Sequence, residues 1–409
     1  MLFTLETLFL RGYMRIFKFV TAKLPIVWPQ EFIGAGAIQE LLRHIQSQGF
    51  TRVFVVTDHN LVNAGVVAPV LAELDALKLS YSVYDTIQPD TPAEQIEAGL
   101  LAFVNSGAEA VLAIGGGSVI DAAKLIAARA LNPKPVLKLA GLFKVRKGIQ
   151  PLFVIPTTAG TGSEVTIAAV VSDTAAQRKL AVIDPRLIPS AMALDAQIML
   201  GLPPAITAAT GMDALTHAIE AFVSKNATAE TDVRALNAAK RIFKYLPEAF
   251  HNGSNEQARQ QMAEASKLAG QAFTIAGVGY VHAIAHNLGA RYHLPHGLAN
   301  AIVMPHVLSA SLPQAAPRLA KLAQHCSIHT SAKAEGANDM EQAKALIEKI
   351  KEMNKEFAIP TYVEALQPGD IAAISKAARA EARFTYAVPR YFTHAQMQMV
   401  LHGMLKPTG

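Results

Sequence analysis

The sequence predicts a doubly wound α/β domain built on a parallel sheet, followed by an all-helical domain. Three features of the chain support this. Short β-branched runs alternate with amphipathic stretches through the first half. Two glycine-rich turns come directly after such runs. Beyond Gly201-Leu202-Pro203-Pro204 the apolar residues recur at helical spacing, and β-branched runs become scarce. A chain of 409 residues exceeds what one core usually organises and suits two domains.

The elements follow in order. The first twenty residues are apolar, but Glu6, Arg11, Arg15 and Lys18 interrupt them. A secretory core needs about 7–15 unbroken apolar residues. An amphipathic, peripheral extension over residues 1–25 is expected instead. Strands are expected at Arg52–Thr57, Tyr81–Tyr84, Ala110–Ile114 and Leu152–Ile155, with helices around Val66–Leu77, Ala93–Asn105 and Val119–Ala130. Thr166–Val171 and Lys179–Ile183 flank a polar turn and predict a hairpin. Gly34-Ala35-Gly36 reads as a turn ahead of the first clear strand. The domain boundary falls near residue 200, giving domains over 26–200 and 201–409. Helices follow at Ala235–Ala249, Gln257–Phe273 and Glu341–Phe357.

Composition narrows the function. Hydrophobic residues make up 51% and charged residues 17%, which is globular. Thirty-seven basic against 32 acidic residues leave a charge of +5 without a basic block, so no nucleic-acid partner is expected. Cys326 is the only cysteine, which excludes an internal disulfide and a cysteine-built zinc site. Between Leu268 and Pro317 the sole charged residue is Arg291. Gln271, His282, His286, Asn287, His293 and His296 also lie there, broken by Pro295, Pro305 and Pro313. Polar groups in that number are expensive in lipid, so a buried interior around a polar site is expected, not a membrane span.

Gly115-Gly116-Gly117-Ser118 leaves a strand and opens a helix, with Asp121 expected in the first turn. Glycines let a backbone approach a pyrophosphate, and the helix start supplies N–H donors. Alone, this is equally an ordinary βα turn. A second loop, Pro156 to Glu164, also follows a strand and carries Thr157, Thr158, Thr161 and Ser163 as hydroxyl donors. Two such loops at strand C-terminal ends favour a bound nucleotide. Asp58, ending the strand RVFVVT, could accept from ribose hydroxyls and favour NAD over NADP; it could equally cap a helix.

Asp213 and His217 stand four residues apart in a helical stretch, which puts them on one face. His282 and His286 repeat that spacing, and His296 follows ten residues later. In so uncharged a setting an unpaired carboxylate and imidazoles are costly. One carboxylate with imidazoles suits Fe²⁺ or Zn²⁺ rather than Ca²⁺ or Mg²⁺. Beside a nicotinamide, such a metal would bind an alcohol oxygen, favour its alkoxide, and polarise the carbonyl in reverse.

With these residues assembled, the sequence resembles the iron-containing (group III) alcohol dehydrogenase family over roughly residues 30–405. The matching motifs are GGGSVIDAAK (115–124), PTTAGTGSEVT (156–166), LDAQIMLGLPP (194–204), GMDALTHAIEAFVS (211–224) and the His282–Gly297 run. The resemblance implies a dehydroquinate synthase-like fold with a Rossmann-like dinucleotide-binding domain and a helical metal-binding, catalytic domain. It assigns the metal, iron by family with zinc as alternative, to Asp213, His217, His282 and His296. His286 becomes a proton relay near the reacting centre. Cofactor contacts fall on Asp58, Gly115, Gly116, Gly117, Ser118, Asp121, Thr157, Thr158, Thr161, Ser163 and Lys179. Phe273 and Phe384 are placed at the substrate pocket. The implied enzyme is a cytoplasmic homodimer that interconverts a small alcohol and its aldehyde or ketone, with hydride passing to NAD. The chain departs from the family at Val388-Pro389-Arg390, where Asn-Pro-Arg is usual, and at the preceding Phe384-Thr385-Tyr386. A polyol dehydrogenase of the same fold is the nearest rival, and a metal-dependent hydrolase a more distant one. No tyrosine has a lysine four residues on, which removes the short-chain dehydrogenase design.

Overall fold

The computed structural model describes residues 2–21, 26–176, 178–329 and 338–407. The chain opens with helix α1 (Leu2–Thr21) and then divides into two compact units. The α/β unit comprises Pro25–Leu202 and Gly253–Gly270; the helical unit comprises Met1–Leu24, Pro203–Asn252 and Gln271–Gly409. The division is therefore not one cut near residue 200. The extension groups with the helical unit, and a segment of the helical half groups with the sheet.

The strands of the α/β unit are β1 (Gln30–Ile33), β2 (Arg52–Val56), β3 (Ser80–Tyr84), β4 (Ala110–Gly115), β5 (Gly141–Leu142), β6 (Leu152–Pro156), β7 (Ala168–Asp173), β8 (Arg178–Ile183) and β9 (Ala191–Leu194). Six of them form a sheet in the order β1-β9-β6-β4-β2-β3, every pair parallel. Helices α2 (Ala37–Ser47), α3 (His59–Asn63), α4 (Ala68–Ala76), α5 (Ala93–Ser106), α6 (Gly117–Leu131) and α7 (Val136–Leu139) intervene. Val53, Val55, Leu112, Ile114, Phe153 and Ile155 point to one face and pack on Leu41, Leu42 and Ile45 of α2 and Leu74 of α4. Phe54 points to the other face, against Phe103 of α5 and Tyr84. Helices on both faces make the sheet doubly wound, as expected. β7 and β8 pair antiparallel with Asp173 opposite Arg178, the expected hairpin, and β5 joins them in a small second sheet.

Two strands of the main sheet escape the sequence reading. β1 is a four-residue edge strand, and Gly34 and Gly36 turn the chain after it at φ 107° and 83°. β9, Ala-Met-Ala-Leu, is fully buried but lacks β-branched residues. Its strand state comes from pairing with β1 and β6 rather than from propensity.

The helical unit contains α8 (Pro204–Val223), α9 (Ala229–His251), the end of α10 (Glu256–Ala276), α11 (Tyr280–Tyr292), α12 (His296–His325), α13 (Asp339–Glu356), α14 (Ile371–Arg383) and α15 (His394–His402). Thr228, Asn338 and Thr393 open α9, α13 and α15 with capping boxes. From Gly211 to Val223, α8 is buried on all sides, so its polar residues must find partners inside the protein. The apolar stretch after Leu268 is broken: α10 and α11 meet at 103°, and among the described residues no single helix is long and apolar enough to cross a membrane.

α1 packs Leu10 and Met14 inward, each 3% exposed. Arg11 donates from both Nη atoms to the carbonyls of Val388 and Pro389 at 2.7 Å and lies over the Tyr391 ring. Glu6 pairs with Arg383, and Tyr13 meets Phe384 edge-on.

Candidate active site

The helical unit gathers the predicted metal ligands. One turn of α8 separates Asp213 from His217, and α11 brings His282 to them. Ligand atoms of these three buried residues all lie within 4.8 Å of one another. The His217 ring is stacked between Phe273, at 4.2 Å, and His282, at 4.5 Å. His282 Nδ1 lies 2.7 Å from Glu220 Oε2; a carboxylate oxygen accepts, so Nδ1 carries the hydrogen. Burial and the neighbouring histidines hold His282 well below its ordinary pKa, hence neutral. Its Nε2 is then a lone pair, buried without a hydrogen-bond partner, and it faces Asp213 Oδ1 at 3.7 Å. Two acceptors aimed at each other in a dry interior repel unless a cation lies between them. The donor set therefore fits a divalent metal.

Glu220 was not singled out by sequence. It also accepts from the Gly279 and Val281 N–H groups at 2.7 Å. Burial raises its carboxyl to about 7, against the pull of those hydrogen bonds. A carboxylate behind a ligating imidazole fixes its tautomer and basicity. The spacing Asp213, His217, Glu220 (i, i+4, i+7) on one helix face was the available signal.

His296, the fourth assigned ligand, opens α12. Its Nε2 lies 3.6 Å from Asp213 Oδ1 but stands outside the tight three-residue cluster, 3.2 Å from Asn300 Nδ2. Asn300 Nδ2 also donates to Asp213 Oδ1 at 2.7 Å. Gly297 permits this approach, since a Cβ there would fall 2.3 Å from the Ala209 carbonyl oxygen of α8. His286 stacks on His296 with ring centroids 5.3 Å apart, and its Nδ1 meets Glu381 Oε1 at 2.7 Å. Phe273 covers His217, but Phe384 differs from expectation: it is 45% exposed against Tyr13 of α1. Two residues further on, Tyr386 turns inward and donates to Glu381 Oε1 at 2.8 Å.

The α/β unit gathers the glycine and hydroxyl loops. Gly115 pairs with Pro156 across adjacent strands, so both loops leave the sheet at the same level. They touch: a Cβ on Gly117 would lie 2.5 Å from Thr161 Cγ2, and one on Gly116 would lie 3.3 Å from Thr158 Oγ1. Gly162, at φ 62°, lets the second loop pass α10, where a Cβ would fall 2.7 Å from Gly270 Cα. The first N–H groups of α6 lack intrahelical acceptors and follow Gly116 directly. Thr157 is buried, whereas Thr158, Thr161 and Ser118 are half-buried beside those N–H groups.

Other expected cofactor residues have partners within the fold. Asp121 lies in the second turn of α6, not the first; it accepts from Ser163 Oγ at 2.6 Å and the Val170 N–H at 2.9 Å. Asp58 caps α3 through the Leu61 N–H. Lys179 Nζ pairs with Asp90 at 2.5 Å. Two buried charges were also unforeseen. Lys124 donates to the Thr166 carbonyl, the Thr166 hydroxyl and the Ala168 carbonyl, and burial lowers it to about 8. Burial raises Glu164 to about 7.

Known families match nearly the whole chain. The profile described as iron-containing alcohol dehydrogenase covers residues 29–196, and its C-terminal counterpart covers 207–405. Alcohol dehydrogenase 4 of Saccharomyces cerevisiae is 41% identical over 299 residues, 73% of this chain and 78% of the yeast protein. The NAD-dependent methanol dehydrogenase of Bacillus methanolicus is 36% identical over 92% of this chain and 98% of its own length. A solved alcohol dehydrogenase from Oenococcus oeni superposes with a TM-score of 0.89 at 32% identity, covering 93% of this chain and 99% of that one.

Proposed function

This chain belongs to the iron-containing alcohol dehydrogenase family, and from that premise we propose that its NAD(H)-dependent alcohol–aldehyde interconversion acts on a small primary alcohol. The observation that carries the metal assignment is the buried His282 Nε2 facing Asp213 Oδ1. Asp213, His217 and His282 would hold the cation, Fe²⁺ or Zn²⁺, with His296 as fourth ligand. When bound, the metal supplies Lewis acidity at the substrate oxygen and the nicotinamide supplies the hydride-accepting carbon.

The chain's own groups do the rest. Glu220 fixes the His282 tautomer. Phe273 flanks His217 with an apolar ring and, in this reading, limits the pocket to a small substrate. His286 exchanges a proton at Nε2 while Nδ1 donates to Glu381. The N–H groups of Gly116, Gly117 and Ser118 take the pyrophosphate, and Thr157, Thr158 and Thr161 donate hydroxyls to it or to the ribose. Asp121 and Ser163, bonded to each other, hold the loop in shape. Asp58 and Lys179 would turn toward ribose hydroxyls from their present partners. A homodimer in the cytoplasm completes the reading.

The test is NADH oxidation by a panel of aldehydes and ketones, on protein loaded separately with Fe²⁺ and Zn²⁺. Metal-dependent oxidation with short aldehydes preferred is expected. Turnover that survives stripping the metal, or that ignores NADH, refutes it. Replacing His282 with alanine should remove the metal while NADH binding persists.

A further inference from the structure

Tyr386, in the segment that departs from the family pattern, donates to the carboxylate that meets His286, and we infer that Glu381, with Tyr386, is the positioning pair that sets the tautomer and ring orientation of His286. This rests on the proposed relay role of His286. Glu381 stands in the last turns of α14, with Oε1 2.7 Å from His286 Nδ1. The same oxygen accepts the Tyr386 O–H at 2.8 Å. Oε2 faces Asn287 Nδ2 at 3.5 Å, while that amide donates to the Ala283 carbonyl at 2.8 Å.

A carboxylate only accepts, so the pairing requires hydrogen on His286 Nδ1 and leaves Nε2 as the exchanging atom. Rotating the imidazole by half a turn keeps its plane, and with it the stack on His296, but carries Nδ1 away from Glu381 and forfeits this bond, so one orientation is favoured. Tyr386 prevents Glu381 from choosing another rotamer. It is buried, and its hydroxyl donates to Glu381. A mobile Glu381 would forfeit that bond in a site where buried hydroxyls need partners. The loop carrying Tyr386 is in turn held by Arg11 of α1 through the Val388 and Pro389 carbonyls. Tyr386, from the segment that departs from the usual motif, thus supports Glu381 as the brace of the imidazole.

The test uses full-length, Zn²⁺-loaded protein with ¹⁵N-labelled histidine, the His286 signal being identified by its loss in His286→Gln. Wild type should show His286 protonated at Nδ1. Glu381→Leu should shift it to the Nε2–H form or to a mixture, and Glu381→Gln, which keeps an acceptor, should restore the Nδ1–H form. An unchanged tautomer in Glu381→Leu overturns the inference whatever His286 does. Kinetics with propanal and NADH give the second arm. Glu381→Leu should lower kcat at least tenfold with little change in KM for NADH or in bound zinc. Glu381→Gln should recover most of that loss, and Glu381→Leu should add nothing in a His286→Gln background. A full kcat in His286→Gln refutes the relay reading alone. A full kcat in Glu381→Leu, where His286→Gln is slow, refutes the positioning role alone.

Discussion

Glu220 touches no proposed substrate or metal, yet its replacement should weaken metal binding strongly. Its two oxygens accept from Gly279 N, Val281 N and His282 Nδ1, each at 2.7 Å. Glu220→Gln is nearly isosteric, but its amide presents one acceptor and an NH₂ group to three donors. At least one buried N–H then faces another N–H, at a cost of about 1–3 kcal/mol. Where the conflict falls on His282, the cheapest escape moves its hydrogen to Nε2 and masks the lone pair that faces Asp213. Losing such a buttress typically lowers metal affinity about 10–100-fold, or about 1.4–2.7 kcal/mol. The assay is Zn²⁺ competition against a chromophoric chelator, on protein shown to be folded by its thermal transition. Gly279→Ala provides an independent perturbation, because its Cβ would lie 2.7 Å from Glu220 Oε1 and push the intact carboxylate aside. Unchanged zinc affinity in both variants would refute the reasoning.

Burial raises Glu164 from 4.5 to about 7, so the folded state holds this proton more tightly than the unfolded one. The resulting stability is full below pH about 4.5 and is lost as pH rises through about 7, by about 3 kcal/mol. Urea unfolding across that window should show the decline in wild type and a flatter profile in Glu164→Gln; identical slopes would contradict the assignment. Gly162→Ala places a Cβ in the left-handed region against backbone atoms of Gly270 and Ser266, whereas Gly148→Ala, also at positive φ, meets nothing within 4 Å. The first should destabilise by about 2–5 kcal/mol and the second by about 1 kcal/mol, read from urea midpoints, and equal losses would show that the close approach is unimportant. Arg11→Ala removes two carbonyl contacts and the Tyr391 stack, so limited proteolysis should release α1 earlier than in wild type. Unaltered protection would show that Leu10, Met14, the Glu6–Arg383 pair and the Tyr13–Phe384 contact anchor the helix without Arg11.

Much of this site was legible because its chemistry is written in residue types at fixed spacing. Asp213, His217 and His282 could be named from i, i+4 pairs in an uncharged background, and the loops at Gly115 and Pro156 from their position after strands. Glu220 was missed although it continues the same helix face, because a buried acid in an apolar helix reads as an isolated anomaly until its partners on α11 are known. Glu381 is 95 residues from His286, and no local pattern announces that pairing. Asp121 and Ser163 look like ligand donors in sequence; only the fold shows that they bond to each other. β9 lacked β-branched residues, and β1 lacked length. The periodicity over Gln257–Phe273 predicts a helix of the second domain, yet Gln260 and Lys267 bond to Ala196 and Glu31 of the α/β unit.

Asp213, His217 and Glu220 share one helix, and its register governs how this gene can change. A single inserted or deleted codon between Asp213 and His217 would turn the downstream stretch of α8 by about 100°. That one event would separate a pair of cation donors from each other and withdraw the support of a third on α11. Frame-preserving indels inside that turn would therefore be eliminated at once. Length polymorphism among descendants of this chain should consequently collect outside the segment.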